Sequence, residues 1–93
     1  MTSGSAVSAQ KKSGIKTLAP GQILFNEGDA ADSMYIIQKG QLRLFRPKGK
    51  GFVEIAVLRP GEVLGEMAYF DPESKTRSVS AAAITSVHII EIS

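Results

Sequence analysis

The sequence predicts a mainly β domain, an eight-stranded β-roll of the double-stranded β-helix or jelly-roll type. Three observations carry this: short β-type runs at close intervals, glycine- or proline-bearing turns between them, and a period-two apolar alternation. The length of 93 residues allows one core and one domain.

Residues 1–14 are mostly Ser, Gly, Ala, Gln and Lys with almost nothing to bury, so they are expected to form a flexible leader ahead of a domain over 15–93. Strands are expected at residues 15–18, 22–25, 33–38, 41–46, 52–58, 62–64, 76–84 and 87–92. Pro20-Gly21, Asn26-Glu27-Gly28-Asp29, Lys39-Gly40, the stretch 47–51 and Pro60-Gly61 mark the reversals. Leu42 and Leu44 alternate with Arg43 and Arg46, and Val53, Ile55 and Val57 with Glu54 and Arg59, so the apolar set of each strand is expected to face the core. Leu18-Ala19-Pro20-Gly21-Gln22-Ile23-Leu24 and Leu58-Arg59-Pro60-Gly61-Glu62-Val63-Leu64 share one pattern forty positions apart, which implies the same corner built twice.

Composition removes several classes of function. Cysteine is absent, so disulfides, thiolate metal sites and a cysteine nucleophile are excluded. His88 is the only histidine, which rules out a metal centre built on several imidazoles. The net charge of +2, with Lys11, Lys12 and Lys16 together near the start, argues for a solvated tail rather than a nucleic-acid surface. No apolar run approaches a membrane span, and the first residues lack the apolar core of a secretory signal, so a cytoplasmic chain is expected.

One segment breaks the β pattern. Gly65-Glu66-Met67-Ala68-Tyr69-Phe70-Asp71-Pro72 predicts a turn or two of helix stopped by Asp71-Pro72, with Met67 plugging it into the roll. A helix start presents unpaired N–H groups and partial positive charge, which suits an anion, and Gly65 permits close approach. Eleven residues after Glu66, Arg77 enters a strand of otherwise small residues. Its guanidinium fork matches a phosphate, while Glu66 could accept from a sugar hydroxyl. The residues alone are equally compatible with a Glu66–Arg77 ion pair across a loop. Asp71 and Glu73 read as a solvated turn rather than a hydrolytic carboxylate pair, and His88, Tyr35 and Phe45 as packing or surface residues.

At these residues the chain resembles the cyclic nucleotide-binding domain of the catabolite activator protein, the regulatory subunits of cyclic AMP-dependent kinase and cyclic nucleotide-gated channels. The stretch from Pro20-Gly21-Gln22-Ile23-Leu24 to Lys39-Gly40-Gln41-Leu42 is similar to the family's opening strands. Gly65-Glu66-Met67-Ala68 with Arg77-Ser78-Val79-Ser80-Ala81 is similar to its phosphate-binding cassette. The resemblance implies that Glu66 holds the ribose 2′-OH and that Arg77 pairs with the cyclic phosphate. It also implies further N–H donors from Ala68 and Ser78, close approach at Gly65, and apolar contact from Val63, Leu64 and Val79.

The chain departs from the family pattern in a longer stretch over 69–76, in Thr76 where a proline often precedes the arginine, and in Val79 where alanine is common. The family's usual helices after the last strand are not evident before Ser93. The expected function is a non-catalytic regulatory sensor of a cyclic mononucleotide, cyclic AMP in preference to cyclic GMP, without cofactor or metal. It would control an attached or partner effector, and a homodimer is compatible with it. The alternative is an interaction module that keeps the fold without the ligand; a second rival, a cupin-type enzyme, is disfavoured by the single histidine. Arg77→Ala is expected to abolish binding and leave the fold intact.

Overall fold

The chain turns from one sheet to the other at two corners built by the same hydrogen bonds. The computed structural model describes residues 13–65 and 75–92, and among these all regular structure is β-strand. The eight strands are β1 (Ser13–Leu18), β2 (Ile23–Phe25), β3 (Met34–Lys39), β4 (Leu42–Lys48), β5 (Gly51–Leu58), β6 (Val63–Leu64), β7 (Ser80–Ala83) and β8 (Val87–Ile92). They form two antiparallel four-stranded sheets, ordered β1-β8-β3-β6 and β2-β7-β4-β5. The short helix expected over 65–72 falls almost wholly on residues 66–74, outside the described residues.

The repeated pattern explains the corners. At the first, Gln22 N donates to Ala19 O at 3.0 Å, and the Gln22 side chain returns an acceptor to Ala19 N at 3.0 Å. At the second, Glu62 N donates to Arg59 O at 3.0 Å, and Glu62 Oε1 accepts from Arg59 N at 2.7 Å. Gly21 and Gly61 take φ values of 84° and 93°, the left-handed conformation that a type II turn requires after proline. Each turn is tied to the neighbouring strand: Gly21 N donates to Ala83 O at 2.7 Å, and Gly61 N to Ile37 O at 2.8 Å. The first corner passes from β1 to β2 and the second from β5 to β6, so each carries the chain between sheets.

The core lies between the sheets. Tyr35 and Ile37 from β3, Val87 and Ile89 from β8, Leu42 from β4, and Ala81 and Ala83 from β7 are buried with Leu18, Phe25 and Leu64. The period-two alternation holds in β3 and β8, each of which has one side inward.

It fails in β5. Val53 and Ile55, expected to face the core, are 43% and 50% exposed. Pairing runs Leu44 to Ala56 and then Phe45 to Glu54, which leaves Ile55 as the extra residue of a bulge and resets the alternation. Leu58, together with Leu44, packs against the core instead. Toward its Gly49-Lys50 turn the β4–β5 hairpin pairs only with itself, because β7 reaches no further along β4 than Phe45.

Two further boundaries differ from expectation. β1 begins at Ser13, paired with Ile92, because the edge of β8 supplies a ladder that the polar sequence does not announce. β7 begins at Ser80 rather than at Thr76. Residues 75–77 leave that sheet to bond the backbone of the loop between β2 and β3.

Candidate functional site

Arg77 is the buried charged side chain of the described structure, 7% exposed, and its placement starts in the backbone. Arg77 N donates to Asp29 O at 2.8 Å, Gly28 N donates to Arg77 O at 2.8 Å, and Ala31 N donates to Lys75 O at 2.9 Å. Thr76 forms an isolated bridge with Ala30. Ser80, at the start of β7, accepts from Glu27 N through Oγ at 2.9 Å and clamps the other end of the same loop. Arg77 is therefore held in an ordered loop before β7, not on the strand where the sequence placed it.

The guanidinium rests against an aromatic pair. Its carbon Cζ lies 4.3 Å from the centroid of the Phe25 ring and 5.5 Å from that of Tyr35, and the two rings stack with centroids 6.1 Å apart. Nη2 donates to Ser33 O at 2.8 Å. Nε has no hydrogen-bond partner among the described residues, and no described carboxylate forms an ion pair with the group. Among the described residues this buried cation meets one neutral acceptor and two aromatic faces but no counter-charge.

Gly65 closes the cradle. It follows β6 with φ of 84°, and a Cβ there would stand 2.7 Å from Arg77 Nη1 and 2.9 Å from Ser33 O. The glycine is needed so that the arginine and the β2–β3 loop can approach the backbone at the end of β6. Thus Gly65 and Arg77, twelve positions apart in sequence, are brought together.

The remaining candidates are distributed around this pair. Val63 is 38% exposed at the edge of its sheet, paired with Ile36, whereas Leu64 is buried in the core opposite Tyr35. Ser78 is exposed and its carbonyl accepts from Arg46 Nε at 3.1 Å, which links the arginine's loop to β4. Val79 is half-buried. Glu66, Met67 and Ala68 lie outside the described residues.

Sequence reasoning missed the supporting layer of Phe25, Ser33 and Tyr35. A signal existed in the scarcity of aromatics: Phe25 ends one predicted strand and Tyr35 lies within the next, on either side of the Asn26 to Asp29 turn. The Tyr35 hydroxyl donates to Glu91 Oε2 at 3.4 Å. Burial raises the Tyr35 pKa above 10.0, nearby Glu91 adds to the rise, and Arg77 opposes it. Glu91 also pairs with Lys16 at 3.4 Å.

The roll sets a buried arginine against a left-handed glycine, and comparison with known proteins gives its family. The model of the cyclic nucleotide-binding domain matches residues 15–93, and the chain belongs to that family. It is 38% identical over 76 residues to the cAMP/cGMP-dependent 3′,5′-cAMP/cGMP phosphodiesterase B of Dictyostelium discoideum, covering 76% of this chain and 7% of that protein. It is 34% identical over 73 residues to the cyclic AMP receptor protein of Thermus thermophilus, covering 77% of this chain and 33% of that one. Among solved structures, the EAL enzyme Bd1971 in its halfsite-occupied form superposes with a TM-score of 0.80 at 34% identity, over 88% of this chain and 72% of the other. Forms of Bd1971 bound to cAMP and to cGMP match with TM-scores of 0.75 and 0.76, each at 36% identity, over 84% of this chain and 21% and 20% of the others. The chain thus spans a third or less of the two named relatives. Among the described residues, no helix is long and apolar enough to cross a membrane.

Proposed function

We propose that the chain is a non-catalytic cyclic mononucleotide sensor that binds its ligand at Arg77 and regulates an attached or partner effector in the cytoplasm. The observation that carries this reading is the buried guanidinium, stacked on Phe25, held by Ser33 O and lacking a carboxylate partner among the described residues. A cyclic phosphate supplies the missing negative charge with acceptor oxygens suited to the arginine fork. Glu66 accepts from the ribose 2′-OH, the N–H groups of Ala68 and Ser78 add donors to the phosphate, Gly65 allows close approach, and Met67 is counted among the ligand-binding residues. Val63 and Val79 offer apolar contact to sugar or base, and Leu64 backs that wall from the core. No cofactor takes part.

Cyclic AMP is the preferred ligand in this reading, supported by the receptor-type relative, although forms of a similar structure hold either nucleotide. Ligand binding acts by shifting the population between two states of the domain, which the effector reads. A homodimer is compatible with this scheme. Titration calorimetry of the chain with cyclic AMP and cyclic GMP tests it: saturable binding at one site, tighter for cyclic AMP, is expected. No heat with either nucleotide at millimolar concentration would establish the alternative, a ligand-free interaction module on the same fold.

A further inference from the structure

We propose that the outer edge of β5 docks an extended acidic peptide segment of a partner protein, which adds as a further strand to the β2-β7-β4-β5 sheet. This surface is distinct from the Arg77 cradle, with Arg46 on β4 bonding the Ser78 carbonyl between them. β5 is the terminal strand of its sheet, and its backbone is paired on one side only among the described strands. The other edges are blunted: β2 and β6 are three and two residues long, and β1 carries Lys16 at its middle. β5 runs for eight residues, and its single charge, Glu54, is neutralised by Arg43 at 2.8 Å. Phe52, Val53 and Ile55 on it are about half exposed. The bulge at Ile55 divides the edge but leaves Gly51 to Glu54 as a regular segment.

Charge selects the occupant. Arg43, Arg46, Lys48, Lys50 and Arg59 lie on or beside the hairpin against two carboxylates, Glu54 on β5 and Glu62 at the corner after Arg59, whereas Glu27, Asp29, Asp32 and Glu91 belong to other segments. The hairpin is therefore strongly basic in a chain of net charge +2. A second copy is a poor partner, because antiparallel overlap of two β5 strands sets Lys50 against Arg59 at both ends and parallel overlap sets each cation on itself. An extended segment alternating acidic and apolar residues satisfies all three properties: main-chain bonds to the edge, apolar contact with Val53 and Ile55, and carboxylates for the flanking cations.

The test is an amide-resolved NMR titration of the full chain with a short synthetic peptide alternating valine and glutamate. Saturable shifts and slowed hydrogen exchange at residues 51–58 are expected, weakening with salt, and N-methylation of alternate peptide amides should reduce affinity roughly tenfold by deleting about two backbone hydrogen bonds. Equal binding of the N-methylated peptide, equal binding of a valine–lysine peptide, or stronger shifts of the same amides by an oligothymidine would overturn the proposal. So would sedimentation showing a dimer of the free chain whose residues 51–58 are already protected from exchange.

Discussion

The guanidinium carbon of Arg77 stands 4.3 Å from the centre of the Phe25 ring, so the residue best suited to hold an anion is also part of the packing between the sheets. Its effects on binding and on stability are consequently coupled, which corrects the expectation that Arg77→Ala leaves the fold untouched.

Arg77→Ala should abolish cyclic nucleotide binding and also destabilise the chain by about 1–3 kcal/mol, through the lost aromatic contacts and the unpaired Ser33 carbonyl. Arg77→Lys keeps the charge but not the planar fork, and should bind at least about tenfold more weakly than the parent. Urea denaturation and calorimetry on both variants separate the two effects. Parental stability of the alanine variant would show that the stacking contributes nothing.

Gly65→Ala places a methyl group against Arg77 Nη1 and Ser33 O in a backbone conformation with φ of 84°. A loss of about 1–3 kcal/mol is expected. Because the guanidinium must shift to make room, affinity for cyclic AMP should fall as well, read from the same pair of measurements.

Gly21→Ala and Gly61→Ala should behave differently, since nothing lies within 4 Å of either added Cβ. Only the positive φ is penalised, at about 1–2 kcal/mol for each. Equal shifts of the urea midpoint in the two variants would bear out that one corner is built twice; a several-fold disparity would count against it.

Tyr35 titrates above its usual 10.0 because it is buried and faces Glu91. The unfolded chain therefore loses that proton first. Stability contributed by the protonated phenol is present below pH 10 and is lost as pH rises above it toward the folded value. Tyr35→Phe should remove this component, so the stability difference between parent and variant should change between pH 9 and 11 and stay constant between pH 7 and 9. Denaturation midpoints measured across that range provide the check.

Most strands were legible because their signals are local. Turn residues and period-two alternation depend on a few neighbours, and they located β3 and β8 almost to the residue. The misplacement of Arg77 and of Val53 and Ile55 has one origin: each is governed by what lies across from it. Residues 75–77 satisfy their backbone with the β2–β3 loop, and the β5 bulge is a relation between two strands. Likewise the family motif singles out Gly65 and Arg77, but motif spacing carries no information on Phe25, Ser33 and Tyr35, which come from other elements.

The sequence by itself determined a mainly β roll, its repeated Pro-Gly corners, the family, and the segment from Gly65 to Ala81 as the centre of interest, with Glu66 and Arg77 as its charged members. Only the tertiary structure decided that Arg77 is buried, that an aromatic pair and a backbone carbonyl hold it, and that Gly65 is small for the arginine's sake. The reason is that alternation and turn chemistry are written within a few residues of chain, whereas burial and the pairing of a charge depend on groups that the fold gathers from distant strands.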